Sequence, residues 1–170
     1  SSAASDVYKR QLQCIAFVRS RPEIDASRII VDGGSQGGAL AMATAALDGQ
    51  IWACFCDVPS NSDISQRVLG GYGSFGAVRD YLKHNPSYYH QVFTVLSYFD
   101  TMNLAEWISC PVYASVGLAD TVCPAKCYAA SYNRITSSKQ ISVYPFAGHE
   151  GGGEHRALEK LWLWKAMLSA

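Results

Sequence analysis

The sequence is short of the features that mark several large functional classes. Lys+Arg and Asp+Glu number 14 each, so the formal net charge is zero, and charged residues make up only 16% of the 170. That leaves no basic stripe to follow a nucleic-acid backbone and no acidic run to form a solvating tail. No apolar run reaches the roughly eighteen residues of a membrane span, so no nucleic-acid or membrane partner is expected. The glycine-rich stretch 33–38 lacks the Lys-Ser/Thr ending of a Walker loop and the spacing of a dinucleotide-binding turn. Six cysteines are too few for a disulfide-stapled mini-domain of this length. Cys54 and Cys56 fall on one face of a strand, and Cys123 and Cys127 have no histidine beside them, whereas zinc needs about four ligands. The cysteines therefore read as buried free thiols, no metal or other cofactor is expected, and reduced thiols point to the cytoplasm.

What is present is the make-up of one globular domain. Hydrophobic residues reach 49%, enough for a real core. Residues 1–11 (SSAASDVYKRQ) have no apolar central segment and do not resemble a signal peptide. They are similar to translated adaptor sequence, so residues 1–10 are expected to be non-native, and the native chain to begin upstream of what is seen.

Beyond them, an apolar stripe predicts a helix over 12–21, ended by Pro22. Apolar, β-branched runs at 28–32, 51–58, 111–117 and 140–144 predict buried strands. Helices are predicted over 39–47, 125–132 and 154–167, the last burying Leu158, Leu161, Trp162 and Leu163. The stretch 60–109 is rich in aromatics, has no evident strand, and reads as an insertion with helical pieces at 76–84, 88–96 and 103–107. Alternating strands and helices predict an α/β fold with a mostly parallel sheet flanked by helices.

One constellation carries chemistry. Gly33-Gly34-Ser35-Gln36-Gly37 has the pattern G-x-S-x-G between a predicted strand and a predicted helix, the setting of a nucleophile elbow. Gly33 and Gly37 are expected to permit the tight turn. A serine hydroxyl needs an imidazole to take its proton, and the imidazole needs a carboxylate to orient it. In such folds the order along the chain is Ser, acid, His, and sites form at the carboxyl ends of the strands. Asp120 follows the third strand, with Asp57 and Asp100 as rivals. Of four histidines, only His149 follows the last strand, flanked by glycines. The backbone N–H of Gln36 is the expected oxyanion donor. The second donor, normally from a loop after an early strand, has no counterpart upstream of Ser35.

Four blocks then carry a family resemblance: residues 28–38 (RIIVDGGSQGG), 96–103 (LSYFDTMN), 115–124 (SVGLADTVCP) and 143–152 (VYPFAGHEGG). Together and in order they resemble carbohydrate esterase family 7, the acetyl xylan esterases and cephalosporin C deacetylases, over about the second half of a member. The resemblance implies an α/β-hydrolase fold lacking its N-terminal strands and metal-free deacetylation of xylo-oligosaccharides and related small esters. It puts the catalytic triad on Ser35, Asp120 and His149. It also implies a homohexamer and intracellular placement, and an Arg-Gly-Gln element supplying the other oxyanion donor. The 170 residues contain no Arg-Gly-Gln. The alternative expectation is a truncated, inactive fragment acting at most as an interaction or packing module.

Overall fold

The computed structural model describes residues 3–169, with side chains from residue 6 to 169. Four strands, β1 (Ile30–Gly34), β2 (Ala53–Asp57), β3 (Val112–Gly117) and β4 (Lys139–Tyr144), form one sheet in the order β1-β2-β3-β4. Every pairing is parallel. Parallel neighbours require a crossover, and helices supply each one. α2 (Gln36–Leu47) joins β1 to β2, and α7 (Ala125–Arg134) joins β3 to β4. Between β2 and β3 the chain makes the long excursion expected from its aromatic content, through α3 (Ile64–Gly70), α4 (Phe75–His84), α5 (Tyr89–Ser97) and α6 (Thr101–Leu104). α1 (Ala3–Arg19) precedes the sheet and α8 (Gly153–Leu168) closes it.

The alternation of β2 divides the interior in two. Cys54 and Cys56 face a core made with Met42, Ala45, Val112, Ala114 and Tyr128. Ala53 and Phe55 face the other side, with Leu163 of α8. There Phe55 stacks on Tyr113, ring centroids 4.8 Å apart, and meets Trp164 edge-on at 5.8 Å. α2 is buried through Gly38, Ala39 and residues 41–45, all small side chains but Met42, which let it lie close against the sheet.

Several sequence expectations shift. β1 begins two residues later than predicted and runs to the residue before Ser35, so the strand leads straight into the elbow. α1 starts at Ala3 and passes through the segment set apart as adaptor-like; within it Tyr8 Oη donates to the carbonyl of Phe99 at 3.3 Å. α3 was not expected. Its signals are local: Asp63 caps it by accepting from the Gln66 N–H, and Gly71 ends it at φ 67°. Cys14 is exposed, the exception among the six free cysteines, because it lies on the outer side of α1.

The largest correction concerns α8. Leu158, Leu161 and Trp162 are exposed at 67%, 46% and 68%, while Leu163 is buried and Trp164 and Met167 pack beside it. The inward stripe begins with Arg156, Glu159 and Lys160, a helical spacing whose first half is charged, so apolar patterning pointed to the wrong face. These charges converge on Asp57. Arg156 Nε lies 2.7 Å from Asp57 Oδ1, Lys160 Nζ 2.9 Å from its Oδ2, and Ser115 Oγ donates to Oδ1 at 2.8 Å. Arg156, 3% exposed, also donates to Glu159 and to the carbonyl of Tyr113. Lys160 reaches Asp32 as well. One network thus ties α8 to β1, β2 and β3. Among the described residues no helix is long and apolar enough to cross a membrane.

Arg156→Met is expected to lower unfolding stability in urea by about 3 kcal/mol, the low end for breaking a buried pair because Lys160 still faces Asp57. Burial raises the Glu159 carboxyl, but bonds from Ser142, Arg156 and Tyr144 outweigh it and hold the pKa below its ordinary value. A depressed acid contributes stability above its ordinary range and loses it as pH falls through the folded value. Glu159→Gln is therefore expected to flatten that part of the acid limb of the stability–pH curve; an unchanged limb would contradict the network.

Candidate active site

Ser35 joins β1 to α2 at φ 55° and ψ −118°, a left-handed backbone that side-chain-bearing residues rarely adopt. Such a conformation costs on the order of 1–3 kcal/mol and persists only where the surroundings impose it. Here they do. The Ser35 N–H donates to the carbonyl of Asp57 at 2.8 Å, and the Ser35 carbonyl accepts from Ser60 N–H at 2.9 Å and Ala39 N–H at 3.1 Å. Val58, Asn61 and Asp63 also have positive φ, so the non-glycine strain of the described chain gathers beside this turn. The result lifts the Ser35 hydroxyl above the carboxyl edge of the sheet.

Asp120 and His149 arrive from the ends of β3 and β4. Asp120, 5% exposed, follows β3, and its Oδ1 accepts the N–H groups of Val122 at 2.7 Å and Cys123 at 2.8 Å. That fixes the carboxylate and leaves Oδ2 for His149 Nδ1, 2.8 Å away. His149 Nε2 lies 2.9 Å from Ser35 Oγ. The loop carrying His149 crosses directly over the end of β3. Ala119 N–H donates to the Ala147 carbonyl at 3.0 Å, and Leu118 N–H to that of Tyr144 at 3.1 Å. A Cβ on Gly117 would sit 2.3 Å from the carbonyl oxygens of Ala147 and Gly148, so only glycine admits this crossing. Sequence reasoning missed Gly117; its signal was a glycine at the last position of a strand feeding the acid turn.

The rivals are otherwise engaged. Asp57 is held by Arg156, Lys160 and Ser115. Asp100 accepts the N–H groups of Asp63, Ile64 and Met102, joining the starts of α3 and α6. Burial raises the Asp100 carboxyl, with those three N–H groups opposing it. His84, His90 and His155 lie on exposed surface. Gln36 opens α2, at the helix end whose N–H groups point outward without intrahelical acceptors.

The two elbow glycines are not equivalent. A Cβ on Gly33 would lie 2.4 Å from the backbone of Gly37, but a Cβ on Gly37 would meet nothing within 4 Å. The second crowded position is Gly38, where a Cβ would come within 3.1 Å of the carbonyl oxygens of Asp57 and Gly33. Glycine is required at 33, where a Cβ would strike the Gly37 backbone, and not at 37, where a Cβ would enter open space. Thr121–Pro124, after Asp120, brings a thiol to the site: Cys123 Sγ is 4.0 Å from Ser35 Oγ.

The family model described as acetyl xylan esterase (AXE1) matches residues 4–167. The chain belongs to the acetyl xylan esterase family. Acetyl esterase Axe7A of Xylanibacter ruminicola is 33% identical over 162 residues, covering 94% of this chain and 36% of that protein. Acetyl xylan esterase from Paenibacillus sp. R4 superposes with a TM-score of 0.87 at 33% identity, over 94% of this chain and 52% of that one. Acetyl xylan esterase 1 from Thermoanaerobacterium sp. JW/SL YS485 gives 0.83 at 36%, over 91% and 50%. This family member therefore spans about half the length of the solved relatives and about a third of Axe7A. Its fold is that part of an α/β-hydrolase, a parallel sheet flanked by helices.

Gly33→Ala is expected to lower stability by about 1–3 kcal/mol through overpacking against Gly37. Gly37→Ala, within α2, is expected to leave stability unchanged or raise it by up to about 1 kcal/mol. Thermal denaturation of the two variants measures the difference, and equal losses would contradict the assignment of the crowding to Gly33.

Proposed function

We propose that this chain carries the acyl-transfer machinery of an acetyl esterase, with Ser35 as nucleophile, His149 as general base and acid, and Asp120 as the carboxylate that orients it. The single observation behind the proposal is the unbroken hydrogen-bonded series Ser35 Oγ, His149 Nε2, His149 Nδ1, Asp120 Oδ2, with steps of 2.9 and 2.8 Å across the ring. Its members come from three strand ends, in the order this fold uses. The proposed substrates are small acetyl esters, acetylated xylo-oligosaccharides foremost, since the similar proteins are named acetyl esterase and acetyl xylan esterase.

In the first stage Ser35 Oγ attacks the acetyl carbonyl while His149 Nε2 takes its proton. The imidazolium so formed is stabilised by Asp120, to which Nδ1–H donates. The carbonyl oxygen gains the negative charge, facing the Gln36 N–H at the start of α2, where the helix dipole favours an anion. Collapse breaks the ester C–O bond, and His149 returns the proton to the departing sugar oxygen. In the second stage His149 removes a proton from water, the hydroxide adds to the acetyl-enzyme, and acetate leaves as Ser35 regains its proton. Ester and water become alcohol and acetic acid.

One observation favours a second reading. The family resemblance implies an Arg-Gly-Gln donor for the oxyanion, and the 170 residues contain none. Residues 1–170 taken by themselves would hold one donor in place of two, turnover would fall by roughly 10²–10³, and they would act as a weakened fragment of the esterase.

A fluorophosphonate probe and 4-nitrophenyl acetate test both. The esterase reading expects covalent labelling at Ser35 and acetate release, each lowered by at least about 10³-fold in Ser35→Ala. Labelling without measurable turnover would favour the incomplete site. Turnover that survives Ser35→Ala would sink the assignment of the nucleophile.

A further inference from the structure

Arg67 stands at the last turn of α3, 2% exposed, in a helix the fold could have left as mere cover. Its guanidinium meets a carbonyl and a thiol where buried arginines usually meet a carboxylate. Nη2 donates to the Val122 carbonyl at 2.8 Å, Nη1 to Cys123 Sγ at 3.4 Å, and the group lies over the Phe75 ring at 4.8 Å. Nε has no hydrogen-bond partner among the described residues. Burying such a charge without a counter-ion costs several kcal/mol, offset in part by the ring and by the carbonyl end of α3.

The two atoms gripped from opposite sides belong to one peptide unit. The Val122 carbonyl receives Arg67, and the Cys123 N–H on the other edge of the same plane donates to Asp120 Oδ1. A trans peptide is rigid, so a clamp on the carbonyl sets where the N–H points. A cation on the carbonyl also polarises the unit and strengthens the N–H as a donor. Asp120 Oδ1 is thereby held on the turn, and Oδ2 is left facing His149. Through Nη1 the same fork holds the Cys123 side chain beside Ser35.

We propose that Arg67 is a positioning residue of this site, through which the helical insertion holds the Asp120 turn in register with His149 and Ser35. This rests on the esterase reading above for its consequence, but not for its geometry. A lysine keeps the charge and loses the fork, because an ammonium cannot reach two divergent acceptors in one plane. Arg67→Lys therefore separates positioning from field.

The test compares the full chain with Arg67→Lys and Arg67→Met, following the His149 ring by NMR titration and the Ser35 labelling rate by fluorophosphonate across pH. If Arg67 positions Asp120, both variants free the carboxylate, the imidazolium loses its partner, and the His149 midpoint moves down by about 0.5 pH unit or more. Labelling falls by about 10–100-fold. Glu150, the other charged side chain bearing on His149, is unaltered in both variants, so its effect cancels. An unchanged midpoint in both, or an unchanged Arg67→Lys with a raised midpoint in Arg67→Met, would overturn the proposal; the latter pattern marks a charge acting only through space. Should Arg67→Met fail to fold by circular dichroism, Arg67→Lys decides the matter alone. A wild-type chain that takes no label would count against the esterase reading, while the NMR titration still decides Arg67.

Discussion

Asp57, the last residue of β2, is the point on which the carboxyl edge of the sheet depends. Its backbone carbonyl receives the Ser35 N–H, and its side chain receives Arg156, Lys160 and Ser115. The first contact holds the elbow in a backbone conformation that would otherwise relax. The second ties the closing helix to the strands beneath it. α8 begins immediately after the loop that carries His149, so anchoring Arg156 in the sheet also limits where that loop can lie. Ser115 adds a contact to the carbonyl of Gly151 at 3.3 Å, on the far side of the same loop. A carboxylate so occupied is unavailable to orient an imidazole, and the carboxylate that meets His149 lies past the next strand end, on Asp120.

The site is thus assembled from loops that are each short and each pinned. Asp120 spends one oxygen on its own turn and keeps the other for His149. His149 reaches Asp120 because β3 ends in a glycine over which the loop can pass. Pre-organisation of this kind suits the proposed acyl transfer, in which charge appears on the imidazole and on the carbonyl oxygen within one step. The insertion between β2 and β3 contributes to the same arrangement through α3, and is more than a cover for the sheet.

Much of this was legible in the chain. Four strands, the helices between them and the order Ser35, Asp120, His149 follow from local patterns: apolar runs, an elbow motif and loops after strands. The reading erred where side chains act against type. Charged Arg156, Glu159 and Lys160 face inward on α8, while Leu158, Leu161 and Trp162 face out, because Asp57 gives the charges a partner that no window of neighbouring residues reveals. α3 escaped notice because seven residues with three apolar side chains are too short for a periodic signal. The role given to Gly37 needed the same caution, since the crowding at the elbow falls on Gly33 and Gly38.

Ser35 and its glycine setting were determined by the sequence itself, because the elbow is a contiguous stretch whose chemistry and backbone needs are local. Family membership is likewise carried by the sequence, since the family model matches residues 4–167. Tertiary structure alone decided how Asp120 is held toward His149, why Gly117 is a glycine, and what Arg67 holds. Each of those depends on groups brought together from distant parts of the chain, 29 residues apart for His149 and Asp120 and 55 for Arg67 and Val122. Hydrogen bonds and close packing act over a few ångströms, and only the folded sheet brings such residues within that range.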